Sequence, residues 1–519
     1  MDTTTRSRFI WLYVLTALSL WLGWGIRGNF GHEYGAMIPG SLAAMAAVLL
    51  SGREDWLRRI VYFAMFGGLG WSFGGSISYM QVVAYTHSGH SATVLYGFAC
   101  LFVIGFLWAA LGGAGTALPA VVDQAFLNAL FLPVGIVFTL WWLQGAAIEP
   151  WLRERGVRLF WYDTDWLAAS LAVLGVLIVC VIRRRLDRAT SLLFHLAAGW
   201  WAGFLVLVLM LRLHMTPPRG DNWAGCLGMT AGFFWYCRQT GLRELAQPAL
   251  HCGFIGGIGF AAASMLKLVE VTSGYETNWH SILEQTTGLF NGIAVAVAIT
   301  ALRRVPTADV GDRESRPWSE PLALAFVSLG IPYLNSRKNV GQWVATKSLP
   351  ATMGGISSAA WFDVGCLALA LTFVALWSRH RRRQLPVVPA SWLGKGQLLY
   401  LVLLWTVVVF NFERAIVAFQ PQRLVTEGVL YLVALVCTLV LLCTAGYAET
   451  PSDASRMATE PARQPRLRTI ATVGAVVAVL AIVADWGIVR AVYGDRFAGH
   501  AALHIRFGPR ATINQPRNR

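Results

Sequence analysis

A run of about twenty apolar residues recurs along the whole chain, from "FIWLYVLTALSLWLGWGI" at residue 9 to "IATVGAVVAVLAIVADWGIV" at residue 470. A helix rises about 1.5 Å per residue, so each such run is long enough to cross the hydrocarbon core of a bilayer. Open-edged strands would leave amides and carbonyls unpaired in lipid at several kcal/mol each, which leaves helices as the spanning element. Composition agrees: 56% of the 519 residues are hydrophobic and 13% are charged, with a mean hydropathy of +0.54. The expected fold class is an all-α polytopic membrane protein.

Hydropathy predicts fifteen spans, near residues 9–26, 36–50, 60–84, 92–115, 126–145, 165–182, 190–212, 223–240, 247–268, 281–302, 321–335, 355–378, 397–418, 424–446 and 469–490. Arg6 and Arg8 precede the first run as they would in a signal peptide. That run, however, is long and leads into Trp24 and Arg27 rather than small cleavage-site residues, so it is expected to stay as a helix.

With the N-terminus in the cytoplasm, loops assigned inside hold 24 Lys and Arg, against 12 in loops assigned outside. The arginine-dense turns at 183–188, 303–316 and 379–383 all fall inside, as the positive-inside rule requires of a protein of the cytoplasmic membrane. An odd number of spans puts the arginine-rich C-terminal tail outside, against that rule. The formal charge of +15 follows from these short loops, so nucleic acid is excluded as a partner and the lipid bilayer is the expected one. All eight cysteines lie in apolar runs without a C-x-x-C pair and read as small buried hydrophobes. No cofactor and no metal site is expected.

The chain also echoes itself. "RGNFGHEYGAM" at Arg27 returns as "RGDNWAGCLGM" at Arg219, "GGLGWSFGGS" at Gly67 as "GGIGFAAAS" at Gly256, and His90–Ser91 as His280–Ser281. Asp165 and its following "RRR" return as Asp363 and "RRR", and every echo lies 189 to 198 residues on. Four echoes in one order predict duplication of a six-helix unit, and an even number of spans makes the two copies parallel. The predicted organisation is a first repeat at 1–188, a second at 189–390, a helical hairpin at 391–447, a flexible cytoplasmic linker at 448–468, and a last span with a basic tail at 469–519. Two like-oriented six-helix halves resemble the major facilitator plan, which implies a substrate site between the halves. The loop "SGREDWLRR" at 51–59 only faintly echoes the basic loop of that plan, and likeness of fold does not carry chemistry.

Counted along each span, Arg27, His32, Glu33, Asp165, Arg219, Asp221, Asn222 and Asp363 all come out at the outer boundary. His87, His90, Lys267 with Glu270, Glu284, Arg337 and Glu413 with Arg414 join them on one face. Most have ordinary explanations. Arg27 and Arg219 read equally well as helix-end anchors at phosphate headgroups, Lys267 with Glu270 as a local ion pair, and His195 and His251 as hydrogen-bonded core residues. The glycine runs at 67–75 and 253–259 suit close helix packing, and the 23 tryptophans suit interfacial belts, though some could stack on a sugar. His32, Glu33, Glu284 and Asp363 resist such explanations, because an ionisable group within or beside a span is expensive and usually faces a cavity and a partner.

Two functions fit. In a carrier for a small anionic or hydroxylated solute, Arg27, Arg219, Asp221, Asn222 and Arg337 would contact the solute, while Glu33, Glu284 or Asp363 would carry a coupling proton. In a membrane-embedded transferase acting on a lipid-linked substrate at the outer leaflet, His32 or Glu33 would be the general base. A scaffold using the last three helices as a docking surface is a third expectation.

Overall fold

The computed structural model describes all residues except 1–2, 29, 32–33, 74–76, 78, 157–164, 216–221, 304, 306–317, 383–391, 418–420, 445–465, 495 and 497–519. Eleven helices among the described residues are long and apolar enough to cross a membrane. The chain is an all-α polytopic membrane protein, as its composition predicts.

The helices are α1 (Thr3–Arg27), α2 (Met37–Leu49), α3 (Glu54–Leu57), α4 (Ile60–Phe73), α5 (Met80–Tyr85), α6 (Ser91–Val121) and α7 (Gln124–Leu143). A π turn, Gln144–Ile148, carries α7 into α8 (Glu149–Glu154). There follow α9 (Asp165–Arg183), α10 (Arg188–Gly203), α11 (Asn222–Thr240), α12 (Arg243–Ser264), α13 (Leu266–Ser273), α14 (Trp279–Leu302) and α15 (Ser319–Ala325). α10 runs on into a π segment, Phe204–Met210, and another π turn, Phe326–Gly330, joins α15 to α16 (Ile331–Ala345). The last four are α17 (Ser358–Arg382), α18 (Trp392–Val417), α19 (Leu424–Cys443) and α20 (Leu467–Tyr493).

Each of the fifteen expected spans has a helical counterpart, though not every one has the length or apolarity of a crossing. The expected spans at 36–50 and 60–84 contain helices of 13 and 14 residues, the second ending at Phe73. Those at 223–240 and 321–335 are helical but more polar than the eleven. A small departure from an all-helical chain is the hairpin of Thr352–Met353 with Ile356–Ser357, turned by Gly354 and Gly355. Both glycines have positive φ, 59° and 79°, as a tight hairpin turn with matching twist needs.

Six helices form a closed ring: α1 packs on α2, α2 on α4, α4 on α6, α6 on α12, α12 on α14, and α14 back on α1. Glycine makes each seam close. A Cβ added at Gly40 on α2 would lie 2.6 Å from the Gly67 carbonyl on α4, and one at Gly70 on α4 would lie 2.8 Å from Gly115 Cα on α6. One at Gly105 on α6 would lie 3.0 Å from Gly257 Cα on α12, and one at Gly292 on α14 2.5 Å from Ala17 Cα on α1. Lipid is as apolar as leucine, so helices in a bilayer associate through this sort of close dispersion contact. The glycine runs therefore act in packing, as their spacing suggests.

Inside the ring Trp24 meets Trp71 at 5.4 Å between ring centroids and Trp108 at 5.9 Å, and all three are fully buried. This part of the tryptophan complement fills the core rather than an interfacial belt. Outside the ring, α10 and α11 pair through Gly199, Gly203 and Gly228, and α7 and α9 pack beside them. The last three helices also lie on the ring. Tyr400 of α18 shares a 2.7 Å hydrogen bond with Ser19 of α1, α19 packs on α1, and α20 packs on α6 and α12. The expected boundary at residue 189 runs through the ring, since α1, α2, α4 and α6 precede it and α12 and α14 follow it.

Candidate functional site

The break between α1 and α2 is the "GIRGNFGHEYGA" segment, and its glycines explain its shape. The Phe30 amide donates to the Arg27 carbonyl at 2.8 Å, closing a turn. Gly31 has φ +93°, a conformation open mainly to glycine. A Cβ added at Gly35 would lie 2.2 Å from the Gly31 carbonyl oxygen and 2.8 Å from that of Arg27, so this position has no room for a side chain.

This turn holds Arg27 inside the protein. Its Nη1 donates to Glu284 Oε1 at 2.9 Å, and the two side chains are 0% and 2% exposed. The guanidinium lies 4.9 Å from the centroid of Trp24 and 5.5 Å from that of Trp108, within cation–π range of both. The Tyr79 hydroxyl donates to the same carboxylate oxygen at 3.2 Å. His280, one turn before Glu284 on α14, brings Nε2 to 3.5 Å from it and stacks on Tyr79, with part of its ring exposed. Arg27 is therefore no headgroup anchor: it neutralises a buried carboxylate, and His280 links that carboxylate to the surface.

α16 braces the segment from the other side. Asn335 Nδ2 donates to the Tyr34 carbonyl at 2.9 Å, and the Lys338 ammonium stands 5.7 Å from the Tyr34 ring. On the same helix, Arg337 Nε donates to Asp363 Oδ1 at 2.6 Å, and the Tyr333 hydroxyl reaches that oxygen at 3.2 Å. Arg337 and Asp363, expected respectively as a solute contact and a proton carrier, form one partly exposed ion pair.

A cavity of about 420 Å³ opens beside Tyr34, among the C-terminal end of α4, the α7–α8 π turn, and α9, α10 and α11. Its walls include Phe73, Trp141 and Trp200, and its polar groups include Gln144, Glu149 and Asp165. The wider π turn brings residues five apart onto one side, so Gln144 Nε2 donates to Glu149 Oε1 at 2.8 Å. Trp141 is fixed by donation from Nε1 to the Ala168 carbonyl at 2.9 Å. The sequence marked Asp165 as a repeat landmark and as one of the polar residues at the outer boundary, without a role in a site, and it overlooked Gln144 and Glu149. Their spacing of five escapes a search tuned to three and four.

His32, Glu33, Arg219 and Asp221 lie outside the described residues, as do the side chains of Glu413 and Arg414. Asn222 begins α11 and is buried. Lys267 and Glu270 form the local ion pair their spacing suggests. His195 bonds the Ser191 carbonyl and Gln239. Among the described residues no three His, Cys, Asp or Glu side chains gather as metal ligands would. No known family model, curated protein or solved structure matches the chain.

Proposed function

We propose that the chain is a multi-pass carrier for a small hydroxylated solute, which binds in the cavity beside Tyr34. What carries this reading is the lining: aromatic walls from Phe73, Trp141 and Trp200 together with the acceptors Glu149 and Asp165. Aromatic faces pack on the apolar faces of a polyol or sugar ring, and carboxylates accept its hydroxyl protons. Of the anionic and hydroxylated solutes that the sequence leaves open, the second suits two carboxylates better. Arg27, the cation expected to meet an anion, is already neutralised by Glu284.

In this proposal Glu284 carries the coupling charge, with His280 and Tyr79 as its proton path. Glu33, next to Tyr34, and Arg219 and Asp221, next to Asn222, join the site on sequence grounds. The duplication, the N-in topology and the cytoplasmic membrane belong to the same proposal.

Uptake into proteoliposomes tests it, using radiolabelled polyols, sugars and organic anions under an imposed proton gradient. A hydroxylated solute should accumulate, and Asp165→Asn and Glu149→Gln should each abolish accumulation. Absence of flux for every solute, or anion flux indifferent to both substitutions, overturns the proposal. Consumption of a lipid-linked sugar by the purified protein would instead point to a transferase.

A further inference from the structure

A groove separate from the solute cavity runs between α15–α16 on one side and α17 and α18 on the other. Its first part, about 550 Å³, lies among α16, α17 and α18. Its second part, about 470 Å³, reaches along α15 and shares Ser328, Leu329 and Phe373 with the first. The shared residues Ser328 and Leu329 belong to the Phe326–Gly330 π turn. The middle is apolar, with Leu329, Phe373 and Trp405 in its walls, and both ends are polar: Tyr333 and Asp363 at one, Glu320 and Lys395 at the other. From Glu320 to Arg337 the helix advances about 26 Å, close to the thickness of a bilayer's hydrocarbon core. Leu367, Leu369 and Val409 on its rim are exposed, so the groove opens sideways on a face made of membrane-crossing helices.

We propose that this groove seats a resident phospholipid with an amine-bearing zwitterionic headgroup, one acyl chain lying along it and the head at Arg337 and Asp363. A slot of this depth that opens toward lipid is filled by hydrocarbon, because water or extended peptide there would lose hydrogen bonds. The polar end selects the head. Arg337 and Asp363 form a neutral, partly exposed pair at 2.6 Å, so a phosphate finds the guanidinium fork and an ammonium finds the carboxylate. An anionic head would meet the Asp363 carboxylate without a compensating cation of its own.

Native mass spectrometry and lipid extraction of the full chain, purified in mild detergent from a membrane of mixed headgroups, test this. Wild type should retain an ethanolamine-headed phospholipid enriched over the bulk membrane. Val409→Trp at the exposed rim and Ala370→Trp in the wall should fill the groove and lose that lipid while the protein stays monodisperse. Asp363→Asn should shift the retained lipid toward anionic heads. The proposal is overturned if the bound lipid has the composition of the bulk membrane, if it lacks a phosphate diester, or if a monodisperse Val409→Trp protein retains it like wild type. Should both tryptophan variants aggregate, the headgroup enrichment of wild type and Asp363→Asn decides alone.

Discussion

Arg27 and Glu284 stand 257 residues apart in the chain, yet 2.9 Å separates Nη1 from Oε1, and neither side chain meets solvent to any extent. The pair locks α1 to α14 across the seam that closes the ring. Removing one partner leaves a buried charge without its counterion, at a cost of about 3–5 kcal/mol. Glu284→Gln and Arg27→Met should each lower the melting temperature sharply in a detergent-solubilised thermal assay. The double variant Arg27→Met with Glu284→Leu should recover most of the loss, since a well-packed apolar pair often replaces a buried ion pair at no net cost. If Glu284 carries coupling charge, that double variant will be folded and inactive. A folded and active double variant removes Glu284 from the mechanism.

Gly228 and Gly135 give a matched contrast in helix packing. A Cβ at Gly228 on α11 would lie 2.0 Å from the Gly199 carbonyl oxygen and 2.7 Å from Gly203 Cα on α10, backbone atoms that have no rotamer to yield. Gly228→Ala should therefore force α10 and α11 apart at about 1–3 kcal/mol or more. A Cβ added at Gly135 on α7 would meet no other group of the described residues within 4 Å. There alanine should be neutral or stabilising by up to about 1 kcal/mol through helix propensity. The melting temperature should fall in Gly228→Ala and hold or rise in Gly135→Ala, and equal losses at both sites would contradict the packing described.

The membrane class and the helical segments are legible because a bilayer imposes one length and one polarity on every span. The glycine runs were legible as packing surfaces, Glu284 as a costly residue and Arg27 as a helix-end arginine. The pairing of Arg27 with Glu284 was not, because contact between residues in α1 and α14 depends on which helices become neighbours, and hydropathy is silent about neighbours. The same gap hid the ring, in which α6 packs on α12 across the expected domain boundary. Gln144 and Glu149 escaped for a local reason: a π turn, not an α turn, brings them together.

Asp187 supplies a pH dependence outside the spans. It caps α10, with Oδ1 accepting from the Thr190 amide at 2.8 Å, and pairs with Arg183. Burial acts to raise its carboxyl, but the bonds from Thr190 and Arg183 outweigh burial and hold it below its ordinary value of 3.8. A depressed carboxyl contributes stability above its unfolded pKa and loses it as pH falls through the folded one. Wild-type stability should thus begin to drop below about pH 4. Asp187→Asn keeps a capping side chain and removes the charge, so it should flatten that slope at modest cost. Asp187→Ala also loses the cap, about 1 kcal/mol at neutral pH. A slope unchanged in Asp187→Asn would assign the acid sensitivity to another group.

α20 tests whether the C-terminal helices belong to the body or serve as a detachable docking arm. It follows the polar stretch 448–468 yet lies against the ring: Trp486 Nε1 donates to the Ser91 carbonyl at 3.1 Å, and a Cβ added at Gly474 would lie 2.4 Å from the Phe254 ring. Contacts of this kind hold a helix in lipid without help from chain connectivity, because a membrane helix is stable by itself and associates through packing and interhelical hydrogen bonds. A protease site inserted at 448–468 should therefore be cut without releasing α20, and the fragment should co-purify with residues 1–447. Gly474→Leu drives a branched side chain into Phe254 and should free the fragment after cleavage. Trp486→Phe removes the hydrogen bond alone and should weaken retention without abolishing it. If wild-type α20 separates on cleavage, the last helix is tethered rather than packed, and the scaffold expectation regains its docking arm.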